Sequence, residues 1–179
     1  MKRHNEDTLL YTIGHFTRPI GDFLTILKSF KVRRVLDVRT VPRSRHNSQF
    51  NRKALEERLK AEGIGYTHLP GLGGLRKSRG DSVNRAWRNA TFRGFADYMQ
   101  TQEFVENIEK LVEISKKERV ALMCAEAIPW RCHRSLIADA LQVRGFHVEH
   151  IVNRSRPRPH VLTPFVKVDG MQVTYPLSG

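Results

Sequence analysis

Apolar residues along this chain fall into short blocks that switch between two periods. Leu9–Ile13 is a run of strand character, and Ile20, Phe23, Leu24 and Leu27 then repeat at helical spacing behind Pro19, a residue suited to the first turn of a helix. Val32–Val38 predicts a second strand. Ala54, Leu55 and Leu59 predict a helix from about Asn51 to near Gly63, and Tyr66–Leu69 a short third strand. Residues 71–82, GLGGLRKSRGDS, carry glycine and positive charge without an apolar period, so they read as a mobile loop long enough to serve as a lid. A short helix around Ala96–Gln100 follows, then a stronger one marked by Phe104, Ile108, Leu111 and Val112. Val120–Met123 is a continuous apolar run, as expected of a strand buried on both faces. Leu136, Ile137, Ala140 and Leu141 return to helical spacing before Gly145, and His147–Val152 predicts a fifth strand.

Strands alternating with helices predict an α/β fold with a mainly parallel central sheet flanked by helices. Residues 1–152 are expected to form one such domain. After them the texture changes: residues 153–160, NRSRPRPH, are basic and proline-rich, hence extended. Phe165–Val168 and Met171–Thr174 flank Asp169-Gly170, a strong hairpin signal. Residues 153–179 are therefore expected to be a basic extended segment and a C-terminal β-hairpin appended to the domain and packed on it.

Composition narrows the class. With 179 residues, 40% hydrophobic and 27% charged, the chain reads as one soluble globular unit. No apolar run reaches membrane-spanning length, and the first residues lack the apolar core of a signal peptide, so the expectation is a cytoplasmic protein with no membrane partner. Two cysteines in such a setting do not suggest a structural disulfide. The net charge of +13 favours polyanions or phosphorylated ligands as partners, a phosphorylated small molecule or a nucleic acid. Oligomeric state is not legible.

Polar residues gather just after the predicted strands: Gly14 and His15, Asp37 and Arg39, Pro70 and Gly71, Cys124 and Glu126. In a parallel sheet those ends share one edge, where ligands of open α/β sheets bind. The stretch Val120–Ser135, VALMCAEAIPWRCHRS, dominates that edge, running from a buried strand into a helix N-terminus that favours anions and thiolates.

The blocks TIGHFTR (12–18), LDVRTVPRSRHNSQFN (36–51), YTHLPGLGG (66–74), WRNATFRGFADYM (87–99) and ALMCAEAIPWRCHRSLIADAL (121–141) resemble the bacterial "domain of unknown function 488" family over about residues 11–152. The resemblance implies a compact α/β domain and no activity. Its matched positions are His15, Thr17, Arg18, Asp37, Arg39, Pro42, Arg43, Phe50, Asn51, Cys124, Glu126, Cys132, His133 and Arg134, and their chemistry has to come from residue type.

Cys124 is a candidate nucleophile, because basic groups and a helix N-terminus lower a thiol pKa; against this, a cysteine ending a buried strand is commonly a small apolar residue. The layout is similar to that of cysteine-based phosphatases and rhodaneses, but six residues, Ala125–Trp130, separate Cys124 from Arg131, one more than the C-x5-R signature holds. Glu126, His15 and Asp37 are candidate acids or bases, with the alternative that Asp37 orients an arginine and His15 bonds to backbone. Arg39, Arg43, Arg131 and Arg134, with Thr17, are candidates to hold a phosphate. No metal is predicted; if one bound, Cys124, Cys132 and His133 would be its ligands, and no cofactor is indicated otherwise. Cys124 with Cys132 is also a conceivable redox pair without C-x-x-C spacing. The sequence thus favours an enzyme acting on a phosphate-bearing substrate, nucleotide or nucleic acid, at the C-terminal edge of the sheet, of unknown reaction type. The alternatives are a non-catalytic nucleic-acid-binding module using its basic surface and a metal- or thiol-dependent redox protein.

Overall fold

A computed structural model of the chain describes residues 8–178. Strands β1 (Leu9–Gly14), β2 (Arg34–Asp37), β3 (Gly65–His68), β4 (Val120–Cys124), β5 (His147–Ile151) and β6 (Arg158–Pro159) form one sheet in the order β3-β2-β4-β1-β5-β6. The first five are mutually parallel, and only β6 runs antiparallel, along β5. The helices are α1 (Ile20–Ser29), α2 (Arg52–Ala61), α3 (Ala90–Tyr98), α4 (Gln102–Ser115) and α5 (Arg134–Gln142). The fold is α/β, with a C-terminal antiparallel pair β7 (Lys167–Asp169) and β8 (Gln172–Thr174) turning at Gly170, whose φ of +59° suits glycine. No helix among the described residues is long and apolar enough to cross a membrane.

The alternation of side chains along the strands builds two cores. Ala121 and Met123 of β4 join Ile13, Val35 and the inner faces of α1 and α2; Val120, Leu122 and Cys124 point the other way, to α3, α4 and α5. That two-sided burial is the reason β4 reads as an unbroken apolar run. It also places the connections: β1 and β2 lead to helices on one face, while β4, lying between them, leads to α5 on the opposite face. Neighbouring connections that part in this way open a crevice at the strand ends, and Cys124 is the last residue of β4 at that point.

The 71–82 segment differs from the free lid that its composition suggests, because it is anchored. Arg76 lies over the Tyr98 ring at 3.6 Å and donates to the carbonyls of Gly71 and Gly73. Asp97, on α3, accepts from the Arg79 main chain, the Ser82 hydroxyl and the Asn84 amide. The chain beyond residue 153 adds the strand β6, which periodicity did not announce because it is only two residues long. It then buries Val173 and Tyr175 against the α5 side of the sheet, where the Tyr175 hydroxyl donates to Asp139 at 2.8 Å.

Asp97 is 6% exposed and accepts from all three of these donors. Asp97→Ala should therefore lower stability by about 2–3 kcal/mol in urea unfolding and open residues 76–84 to proteolysis. An unchanged midpoint and unchanged cleavage would contradict the anchoring role.

Candidate functional site

Gly14 ends β1 opposite Cys124 in register, and the next amides continue the ladder, His15 N–H to the Cys124 carbonyl and Phe16 N–H to that of Ala125. A Cβ on Gly14 would sit 1.9 Å from the Glu126 carbonyl oxygen, so glycine is what lets the loop after β4 lie against β1. The loop turns through Pro129–Arg131 and enters α5 at His133–Arg134. It brings Cys132 back over Cys124, with the two sulfurs 2.8 Å apart. Both thiols are free and buried at the floor of a cleft of about 450 Å³.

Each sulfur has its own basic partner. Arg134 is fully buried; its Nε donates to Cys124 Sγ at 2.9 Å, its Nη1 to Thr12 Oγ1 at 3.0 Å, and its Nη2 to the Glu126 carbonyl at 2.6 Å. The Nε2–H of His133 points to the Val38 carbonyl at 3.1 Å, which leaves Nδ1 as the acceptor 3.4 Å from Cys132 Sγ. A histidine held in that tautomer can take the thiol proton. Burial works against ionisation at both thiols. At Cys132 the hydrogen bonds with Cys124 and His133, with the charges of His133 and Arg134, overcome it and hold the thiol well below its ordinary range. At Cys124 burial and the hydrogen bond to Cys132 push the thiol well above it. The two thiols thus titrate as a coupled pair, with the downward direction at Cys132 and the upward one at Cys124.

The other sequence candidates divide into buried supports and cleft walls. Asp37, with no exposure, accepts from Arg39 Nε at 2.9 Å and Nη2 at 2.7 Å and from the Tyr66 hydroxyl at 2.7 Å; its partners are an arginine and a tyrosine of the fold. Arg39 in turn donates to the Phe50 carbonyl and to His15 Nε2. His15 donates from Nδ1 to the Phe16 carbonyl and stacks on Phe50 at 4.3 Å. Its pKa is lowered to about 4, chiefly by burial and further by Arg39. Thr17 is exposed and does not line the cleft. Arg134 and Arg39, expected to grip an anion, spend their donors inside the protein, because each lies next to an acceptor that would otherwise be buried unpaired. Arg43 and Arg131 are exposed and line the cleft, beside Glu126, whose Oε1 accepts from the Ile128 amide.

Cys124, Cys132 and His133 were the residues the sequence offered as ligands if a metal bound. Among the described residues no group of three or more His, Cys, Asp or Glu side chains is placed to hold a metal ion. Thr12 and His150 are the participants that sequence reasoning missed: both sit inside strands and carry no motif. Trp87 and Phe92 stack on each other at 4.9 Å, partly buried against the core, and Phe92 also lines the cleft, whereas Phe95 is fully buried.

A family model described as "Domain of unknown function DUF488" matches residues 19–141. No curated protein and no solved structure matches the chain.

The buried His15 predicts an acid dependence. The unfolded chain binds the proton near pH 6.5 and the folded one only near 4, so stability is fully present above the unfolded value and is lost as pH falls toward the folded one. Between about pH 7 and about pH 5 the wild type should lose about 2 kcal/mol more than His15→Gln in urea unfolding. His150, lowered to about 3 by burial and by His160 and Arg134, acts in the same direction in both proteins. Equal losses would mean that His15 is not held neutral by the fold.

Proposed function

The chain belongs to the DUF488 family, a domain of unknown function, and on that premise we propose that it is a dithiol enzyme in which Cys132 and Cys124 exchange thiol for disulfide with an anionic substrate held in the cleft. The observation that carries this reading is the 2.8 Å approach of the two sulfurs at the cleft floor. Side chains so placed close into a disulfide with a small adjustment, and a low-pKa thiol beside a resolving cysteine is the arrangement that such exchange needs.

His133 Nδ1 accepts the Cys132 proton. The Cys132 thiolate attacks one sulfur of a substrate disulfide R–S–S–R′; a bond forms between Cys132 Sγ and that sulfur, and R′–S⁻ leaves and takes the proton from His133. Cys124 then attacks Cys132 Sγ, the intramolecular disulfide forms, and R–S⁻ departs with the Cys124 proton. The substrate gains two electrons and two protons, and the protein loses the same. A thiol reductant runs the sequence backwards and restores the pair. Arg134 Nε, against Cys124, stabilises negative charge on that sulfur as its proton leaves.

The substrate's charge is supported by Arg43 and Arg131, the exposed guanidiniums of the cleft, and by the net charge of +13. A phosphate- or carboxylate-bearing substrate fits them. A nucleic-acid-binding module acting by charge alone gains nothing from two buried sulfurs with dedicated basic partners.

Glutathione disulfide, an anionic probe, tests the reading. Wild type should end with Cys124 and Cys132 joined and no glutathione retained. Cys124→Ser should stop at a mixed disulfide on Cys132, visible by mass spectrometry. Two free thiols in the wild type under excess probe, or the same product from both proteins, would contradict it.

A further inference from the structure

Thr12, His150, His160 and Asp139 form a hydrogen-bonded line that ends on Arg134. Arg134 Nη1 donates to Thr12 Oγ1 at 3.0 Å, Thr12 Oγ1 lies 2.7 Å from His150 Nδ1, His150 Nε2 lies 2.9 Å from His160 Nδ1, and His160 Nε2 lies 2.7 Å from Asp139 Oδ1. The Asp139 carboxylate also accepts from the Thr163 amide and from the hydroxyls of Thr163 and Tyr175.

With both histidines neutral, the two ends fix every proton between them. A carboxylate only accepts, so His160 carries its hydrogen on Nε2 and presents a lone pair at Nδ1. That lone pair takes the His150 Nε2–H, which leaves His150 Nδ1 to accept the Thr12 hydroxyl. The hydroxyl oxygen is then free to accept from the guanidinium, which only donates. The buried position of His150 favours its neutral form. All bonds run one way, from the cation at Arg134 to the anion at Asp139. Bonds in such a series polarise one another.

We propose that this line is the positioning device of the thiol site: Thr12, His150, His160 and Asp139 hold the Arg134 guanidinium against Cys124, so the segment after residue 153, which supplies His160, is a working part of the site. Arginine keeps its protons, so the line carries no proton to the sulfurs; it fixes where a charge sits. Thr12, His150 and His160 lie outside the matched residues 19–141, while Asp139 and Arg134 lie inside them. The device thus joins β1, β5 and the C-terminal segment to the cysteine loop. It rests on the reading of Cys132 and Cys124 as a reactive pair.

The charged and titratable groups around the two sulfurs are Arg134 and His133 of α5, Glu126 and Arg131 of the loop, and Arg39 and Arg43 after β2. Cys124 Sγ also donates to the Glu126 carbonyl at 3.7 Å, but among these side chains Arg134 is the one that donates to Cys124 and ends the line, so breaking the line should act on the sulfurs through it. Thr12→Val keeps the shape and removes both bonds of the hydroxyl; Thr12→Ser keeps them. His160→Gln keeps a donor for Asp139 but lacks the ring that holds an acceptor at the Nδ1 position facing His150.

The rate of iodoacetamide alkylation against pH is the readout, with circular dichroism confirming the fold. In the wild type the reactive thiol should titrate below the ordinary thiol range. In Thr12→Val the midpoint should rise by about one unit, a roughly tenfold slower reaction below it. Thr12→Ser should retain the wild-type profile, and His160→Gln should shift in the direction of Thr12→Val. A folded Thr12→Val or His160→Gln with the wild-type profile overturns the proposal; if Thr12→Val does not fold, His160→Gln decides. An ordinary thiol profile in the wild type itself would instead overturn the reactive-pair reading.

Discussion

A guanidinium with no exposure to water is the constraint on which this structure turns. Burying such a charge costs several kcal/mol unless anions and acceptors surround it. Arg134 meets that demand with one sulfur, one hydroxyl and the Glu126 carbonyl, and each partner comes from a different part of the chain. Cys124 ends the central strand, Thr12 lies in the strand beside it, and Glu126 belongs to the loop that lies against Gly14. Satisfying one side chain thus fixes the path of the loop, the placement of both cysteines and, through His150 and His160, the docking of the C-terminal segment.

The arginines of the site do two kinds of work. Arg39 and Arg134 are structural cations: Asp37 occupies the first, and the second is held by the cysteine pair and Thr12. Arg43 and Arg131 remain open to the cleft. Counting positive charge in sequence cannot separate these groups, because the difference is whether a carboxylate or carbonyl lies within reach after folding. For the same reason the net charge speaks to association with anions and not to chemistry.

Much of the fold was legible. The five parallel strands and the other helices follow from periodicity, and the unbroken apolar run at Val120–Met123 marked the strand buried on both faces; α3, expected around Ala96–Gln100, instead starts at Ala90, where the Asn89 side chain caps it. The hairpin was given by Asp169-Gly170. What escaped was held by single side chains: the anchoring of residues 71–84 depends on Asp97, and the two-residue β6 has no pattern of its own. In the site, the edge of the sheet and the cysteine loop were legible as a cluster of polar residues after strands. The pairing of Cys132 with Cys124 was legible as a possibility only, since eight residues of separation specify no distance until the loop is closed. Thr12 and His150 carried no signal, because a polar residue inside a strand looks the same whether it meets a partner across the sheet or a neighbouring loop.

The most direct test of this account is the redox equilibrium of the wild-type cysteines. The protein is brought to equilibrium in glutathione buffers of graded thiol-to-disulfide ratio, quenched in acid, and its peptides are read by mass spectrometry. A single transition to a peptide joined through Cys124 and Cys132, in the monomeric protein and reversed by added thiol, is the expected result. Thiols that stay reduced across the whole range, or that oxidise only between molecules, would contradict the account and leave Cys124 and Cys132 as core residues beside a buried arginine.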